Sequence, residues 1–113
     1  MFQQRQLNDI YQLVEVSKTA ALSIGAVGNN AVAGPAVVAC TVGGSPATFA
    51  LGDTLEVYAP ASAALNGVTL VASPSTTAGS CFITGINTTG GSVTPTASTV
   101  YTIVAKRITP TLI

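Results

Sequence analysis

Apolar and polar positions alternate with a period of two along much of the chain, which is the pattern of β-strands that bury one face. Leu55, Val57 and Ala59 are separated by single polar or aromatic residues, and the segment 99–106 shows the same alternation. A near-continuous apolar run at 37–42 has the length of a buried strand. Turn-forming residues separate these segments at 28–30, 43–46, 52–53, 60–67, 73–79 and 87–92. The pattern predicts about six or seven short strands with a turn about every 8–14 residues.

This spacing of strands and turns is typical of an antiparallel sandwich or barrel. We predict an all-β domain over residues 19–113, folded as an antiparallel β-sandwich of jelly-roll or immunoglobulin-like type, with an extended N-terminal arm over residues 1–18. No helix longer than about two turns is expected between residues 20 and 107. The positions expected to form the core are Leu22, Ile24, Val38, Cys40, Leu55, Val57, Leu70, Phe82, Ile103 and one face of the last strand.

The predicted arm differs from the rest of the chain in its charge and its periodicity. It holds four of the eight charged residues, and Leu7, Ile10, Tyr11 and Val14 recur at the spacing of a helix face. Two interpretations remain open: a first turn of helix that runs into an edge strand at 13–16, or an arm that becomes ordered only against a neighbouring subunit. We take as candidate inter-subunit contacts Phe2, Leu7, Ile10, Tyr11 and Leu13.

The amino-acid composition shows that unusually few residues of the chain are charged. Of 113 residues, 48% are hydrophobic, only 7% are charged, and the formal net charge is zero. Such hydrophobicity argues against disorder, and so little charge argues against a monomer that stays soluble alone. Between residues 19 and 105 the only charged side chains are Asp53 and Glu56. Because uncharged strand edges tend to pair with other chains, we expect a homo-oligomer.

The side-chain inventory limits the chemistry that this chain can perform. It contains no His, which is the usual general base and the commonest metal ligand. The four carboxylates and four cations match no nucleophilic triad, phosphate-binding loop or dinucleotide-binding motif. Four cations also neutralise few phosphates of a nucleic acid. We therefore expect no enzymatic activity, no cofactor, no metal, no small-molecule substrate and no nucleic-acid partner.

Two further expectations concern the cysteines and membranes. Cys40 and Cys81 could form a disulfide or remain as two buried thiols, and both lie in apolar, strand-like runs. No signal peptide is evident, so we expect free thiols. The most apolar stretch, at 20–42, is interrupted by Asn, Gly and Pro and consists mostly of small residues, so we expect no transmembrane segment.

The second half of the chain carries an ordered series of strand and turn signatures. It reads GDTLEVYAP at 52–60, LNGVTLVA at 65–72, AGSCFI at 78–83, NTTGGSVTP at 87–95 and YTIVAKR at 101–107. This order resembles small virion structural proteins of tailed bacteriophages, of the capsid decoration or cement type. One departure is Gly85-Ile86, which stands where an apolar or aromatic strand residue is expected before the Asn and indicates a bulge.

The resemblance implies a β-sandwich module on the outer surface of a phage capsid. Such a protein is made in the host cytoplasm and binds the assembled head, often as a homotrimer. It stabilises the head by bridging subunits of the major capsid protein. One alternative is a tail, fibre or collar component of the virion. Another is a bacterial surface or carbohydrate-binding β-sandwich, although three Tyr and no Trp offer few rings for stacking on a sugar.

Overall fold

A computed structural model describes residues 11–108 of the chain, and within that range it contains strands and no helix. The strands are β1 (Tyr11–Thr19), β2 (Val32–Val42), β3 (Ser45–Pro46), β4 (Thr54–Tyr58), β5 (Val68–Pro74), β6 (Ser80–Asn87) and β7 (Thr102–Ile108). The prediction of an all-β fold is confirmed. The described part of the chain accordingly offers no helix of the length and apolarity needed to cross a membrane.

The strands form one antiparallel sheet in the order β1-β7-β4-β5-β6-β2-β3. β1 also pairs with β2 through Lys18↔Thr41 and Thr19↔Cys40, so six strands close into a barrel and β3 extends the edge at β2. The two separate sheets of a sandwich are therefore not confirmed. The side chains that point inward near this closure are small, among them Ser17 and Cys40, and they let β1 and β2 approach.

The barrel interior holds most of the core that the sequence predicts. Val38, Cys40, Leu55 and Ile103 are buried. Four more of the predicted residues are partly buried and pack against this core, namely Leu22, Ile24, Val57 and Leu70. On the last strand the buried face carries Ile103 and Ala105, and Tyr101 directly before the strand is also buried.

Phe82 is a correction to the predicted core. The register pairs Val38 with Cys81 and Val37 with Phe82. Because successive residues of a strand point to opposite sides, the buried Val38 and Cys81 place Val37 and Phe82 on the outer surface. Phe82 is only half-buried there. The alternation around it is apolar on both faces, so the pattern alone did not distinguish the inner from the outer face.

β1 begins inside the predicted arm and is extended from its first residue. It pairs with β7 from Tyr11↔Ile108 to Lys18↔Thr102, with a bulge between Leu13 and Glu15. The helical turn is therefore not found at Tyr11 and Val14, while Phe2, Leu7 and Ile10 lie outside the described residues. The bulge adds one residue to β1 and shifts the inside–outside alternation, so the apolar spacing there no longer has a period of two.

A second irregularity lies opposite Gly85. The sequence indicated a bulge at Gly85-Ile86 in β6, but the extra residue lies in the partner strand β2. The register shifts between Ala33 and Ala36 of β2, so β2 has one residue more than β6 over this stretch. Gly34 within this bulge has φ +99°, and a Cβ built on it would lie 2.9 Å from the backbone oxygen of Ile83. Only glycine fits such a close approach of two strands without displacing backbone.

Candidate functional site

The charged residues of the described chain lie on one half of the barrel. They are Glu15, Lys18, Asp53, Glu56, Lys106 and Arg107, all on β1, β7, β4 or directly before β4. These three strands are neighbours in the sheet. The remaining barrel strands, β5, β6 and β2, carry no charged residue. We call the two halves the charged half and the uncharged half.

Asp53 and Arg107 form the most buried ion pair of the charged half. Arg107 donates from Nε to Oδ1 of Asp53 at 2.7 Å and from Nη2 to Oδ2 at 2.8 Å. The Asp53 carboxylate also accepts a hydrogen bond from the backbone N–H of Ala50 at 2.8 Å. The Arg107 guanidinium holds the pKa of Asp53 below its ordinary value. This pair fixes the turn before β4 against β7.

The other charged side chains also bind within the chain. The Glu56 carboxylate lies 3.2 Å from Nζ of Lys106 and accepts a hydrogen bond from the Tyr58 hydroxyl at 3.0 Å. The hydrogen bond from Lys106 lowers the pKa of Glu56, and Glu56 in turn raises the pKa of Tyr58. Lys18 donates to Thr102 across the β1–β7 pair. These contacts are exposed, so they orient side chains more than they stabilise the fold.

Glu15 connects β1 with the segment that precedes β4. Its carboxylate accepts hydrogen bonds from the Thr48 hydroxyl at 2.9 Å, from the Phe49 backbone N–H at 2.9 Å and from the Thr48 backbone N–H. The bulge in β1 directs the Glu15 side chain toward this segment. Glu15 is therefore used structurally, as Asp53 is.

The outer surface of the uncharged half consists of apolar side chains interspersed with hydroxyl groups, such as those of Thr69 and Ser73, and carries no charge. We define the uncharged face as the outward residues Val32, Val37, Val71, Phe82, Thr84 and Ile86. Val37 and Val71 are 57% and 49% exposed. The register places Val37 beside Phe82 and Val71 beside Thr84, so these side chains form a continuous surface. Such a surface can be covered by another protein without removing any charge from water.

Two of the predicted inter-subunit contacts lie on the charged half. Tyr11 and Leu13 are 55% and 59% exposed on β1, and Tyr11 is paired with the exposed Ile108 of β7. Together these three residues form a small apolar cluster at the start of β1. Phe2, Leu7 and Ile10 lie outside the described residues.

A groove of about 500 Å³ opens at one end of the barrel. Its walls are Lys18, Pro60, Ser62, Ala63 and the segment 96–100, so its polar side chains are hydroxyls and one ammonium group. Its lining includes no aromatic ring on which a sugar could stack, and no carboxylate or imidazole beside a hydroxyl. Within the described residues, moreover, no three His, Cys, Asp or Glu side chains are grouped as metal ligands would be.

The two cysteines lie together inside the barrel as free thiols. Cys40 on β2 and Cys81 on β6 are 1% and 0% exposed, and their Sγ atoms are 3.6 Å apart. The sequence predicted two free, buried thiols in strands, and it contained no signal that they are neighbours. Their proximity follows from the β2–β6 register, which a single sequence does not specify.

Comparison with known proteins adds no relative to this description. No protein-family model, no curated protein and no solved structure matches the chain. The features of this chain that bear on its function are therefore the distribution of charge and the exposed apolar surface. The sequence indicated the scarcity of charge, but only the strand register shows that the uncharged outer side chains are contiguous.

Proposed function

We propose that the protein is a virion structural protein of a tailed bacteriophage, a capsid decoration or cement protein without enzymatic activity. It binds the assembled head and bridges neighbouring subunits of the major capsid protein. The observation that carries this proposal is the uncharged face, where Val37, Phe82 and Val71 are presented on three strands that contain no charge.

The uncharged face is suited to a partner that covers it with uncharged surface. Contacts to Val37 and Val71 bury apolar surface and leave no ionic group unpaired, so the interface is stabilised by the hydrophobic effect and depends little on salt. A protein that binds only the assembled shell stabilises that shell by mass action. Repetition on a symmetric lattice, within a homotrimer, adds further avidity.

The charged half suits the side that remains in water. Its ion pairs, such as Lys106 with Glu56, are exposed and mixed in sign, as on a solvated protein surface. At the edge of this half, the apolar cluster of Tyr11, Leu13 and Ile108 lies where residues 1–10 join the barrel. In this proposal that edge and the preceding residues contact a neighbouring subunit.

Co-sedimentation with particles stripped of the protein tests the proposal. The purified protein should pellet with heads at high copy number, both at low salt and in about 1 M salt. Val37→Lys should abolish pelleting, because it places an ammonium group in the centre of the uncharged face. Val16→Lys is the matched control, since Val16 is 48% exposed on β1 and the substitution is the same.

The outcomes discriminate between the possible interfaces. Loss of binding by Val16→Lys with retention by Val37→Lys would move the docking surface to the charged half. Pelleting with isolated tails and not with heads would replace the decoration protein by a tail, fibre or collar component. Failure to bind any part of a particle would reject the proposal of a virion protein.

A further inference from the structure

We propose that Cys40 and Cys81 are an oxidisable dithiol, which closes an internal disulfide between β2 and β6 when the protein meets a small disulfide oxidant. This inference does not depend on the proposed function. It rests on the positions of two buried thiols that lie against each other, and Cys40 Sγ also lies 3.8 Å from the Val38 carbonyl oxygen. The two Sγ atoms are 3.6 Å apart, so a disulfide requires them to approach by about 1.5 Å.

The strand register explains why the two thiols are neighbours. Cys81 is opposite Val38 in the β2–β6 pair, and the Cys40 N–H donates to the Gly79 carbonyl at 2.7 Å. Cys40 and Cys81 are therefore diagonal neighbours on the inner face. The residue opposite Cys40 is a glycine, so no side chain stands between the two thiols.

The side chains around Cys40 lower the pKa of its thiol. The hydrogen bond from Cys81 lowers the pKa of Cys40, and the Ser17 hydroxyl adds to this effect, against burial and the negative charge of Glu15. Ser17 Oγ is buried and has no partner within ordinary hydrogen-bonding geometry, which leaves its proton available to a thiolate. The same interaction raises the pKa of Cys81. Cys40 is thus the nucleophile, and Cys81 is the thiol that reacts second.

The reaction balances with a disulfide such as oxidised glutathione as the oxidant. The Cys40 thiolate attacks one sulfur of the oxidant, whose S–S bond breaks and releases one glutathione thiolate, which takes up a proton. Cys81 then loses its proton and attacks Sγ of Cys40, which forms the internal S–S bond and releases the second glutathione. The chain loses two hydrogen atoms, that is two protons and two electrons, and the oxidant becomes two thiols.

Access to the thiols is provided by their position near strand ends. Cys40 is two residues from the end of β2, and Cys81 is the second residue of β6. Next to them, β1 and β2 pair through two residues only, and β3 has two residues. Such short pairings open locally at lower cost than the centre of a sheet, so oxidation proceeds slowly without global unfolding.

The test exposes the folded, reduced wild-type protein to oxidised glutathione, followed by denaturation, alkylation and mass spectrometry. We expect a monomer lighter by about 2 Da that takes up no alkyl group, with reversal by a dithiol reductant. Its melting temperature should rise by about 10 °C, because the bond closes a loop of about 40 residues next to the β1–β2 contact.

Cys81→Ala is the matched control. With Cys40 alone the internal bond cannot form, so the same treatment should give no loss of about 2 Da and no rise in melting temperature. Wild-type protein that still takes up two alkyl groups after oxidation would overturn the proposal. Disulfide-linked dimers in place of the internal bond would overturn it as well. Both readouts use the wild-type chain, so the test stands even if the variant does not fold.

Discussion

At the scale of single residues, Asn87 shows how one buried amide organises two loops. It is the last residue of β6 and is fully buried. Its Nδ2 lies 2.8 Å from the Val27 carbonyl and 2.7 Å from the Gly91 carbonyl, and its Oδ1 accepts hydrogen bonds from Thr89. From the sequence this Asn belongs to a loop signal, and nothing local indicates that its side chain points into the molecule.

Asn87→Asp should destabilise the protein by about 3 kcal/mol, because a carboxylate replaces the donors with acceptors that face carbonyl oxygens in a buried site. Chemical denaturation measures the change in the free energy of unfolding. Asn29→Asp, in an exposed turn, is the control and should change it little. Equal stability of the two variants would mean that Asn87 does not anchor these loops.

The pKa of Asp53 predicts an acid-sensitive contribution to stability. Since Arg107 holds it below the ordinary 3.8, the folded state favours the ionised carboxylate. The contribution of ionised Asp53 to the free energy of unfolding is complete above the pKa that Asp53 has in the unfolded chain. It disappears as the pH falls through the lower pKa that Asp53 has in the folded protein. Asp53→Asn should therefore lower the free energy of unfolding by about 2 kcal/mol at neutral pH, and the difference from the wild type should become smaller below about pH 4.

Denaturation curves between about pH 2 and 7 measure this effect. Glu56→Gln is the control, because its ion pair with Lys106 is exposed and its removal should change stability little at any pH. A cost of Asp53→Asn that stays constant with pH would contradict the assignment.

At the scale of elements, β7 illustrates how much of a strand can be predicted from its sequence. The alternation at 99–106 predicted a strand with two distinct faces. β7 is that strand, but it spans Thr102–Ile108 and so begins three residues later than predicted. It lies between β1 and β4, and its inward residues Ile103 and Ala105 are fully buried. The neighbours of β7 could not be predicted, because pairing joins segments that are far apart in the chain.

Ile103→Ala should therefore lower the free energy of unfolding by about 2–5 kcal/mol, since it leaves a cavity in the barrel core. Val104→Ala on the opposite face of the same strand is the control, and it should cost about 1 kcal/mol or less. Thermal or denaturant unfolding measures both. A larger effect at Val104 would mean that the two faces are inverted.

At the scale of the whole molecule, the barrel extends into the predicted arm. Residues 11–18 pair with β7, and Lys18 and Thr19 also close the barrel against β2. The helical spacing at the N-terminus suggested a different structure because the bulge at Leu13 and Glu15 interrupts the alternation. Long-range pairing with β7 decides the conformation of this segment, and local propensity does not.

Deletion of residues 1–10 should leave a folded barrel, whereas deletion of residues 1–14 should destabilise it, since the longer deletion removes residues of β1 that pair with β7. Circular dichroism during thermal unfolding distinguishes the two. If the protein is a decoration protein, the shorter variant should also attach poorly to particles. Full occupancy of particles by the variant that lacks residues 1–10 would show that these residues are not needed for attachment. Equal stability of the two deletion variants would contradict the pairing of β1 with β7.

Local sequence pattern and composition were sufficient to predict the all-β class, the positions of most turns, most of the core and the lack of His. These properties are local or compositional: a period of two, a glycine at a turn or a missing residue type needs no distant partner. The tertiary structure alone decided the closure into a barrel, the outward position of Phe82, the contact between Cys40 and Cys81, and the continuity of the uncharged face. Each of these depends on which strands pair and in what register, and many distant contacts acting together determine that choice.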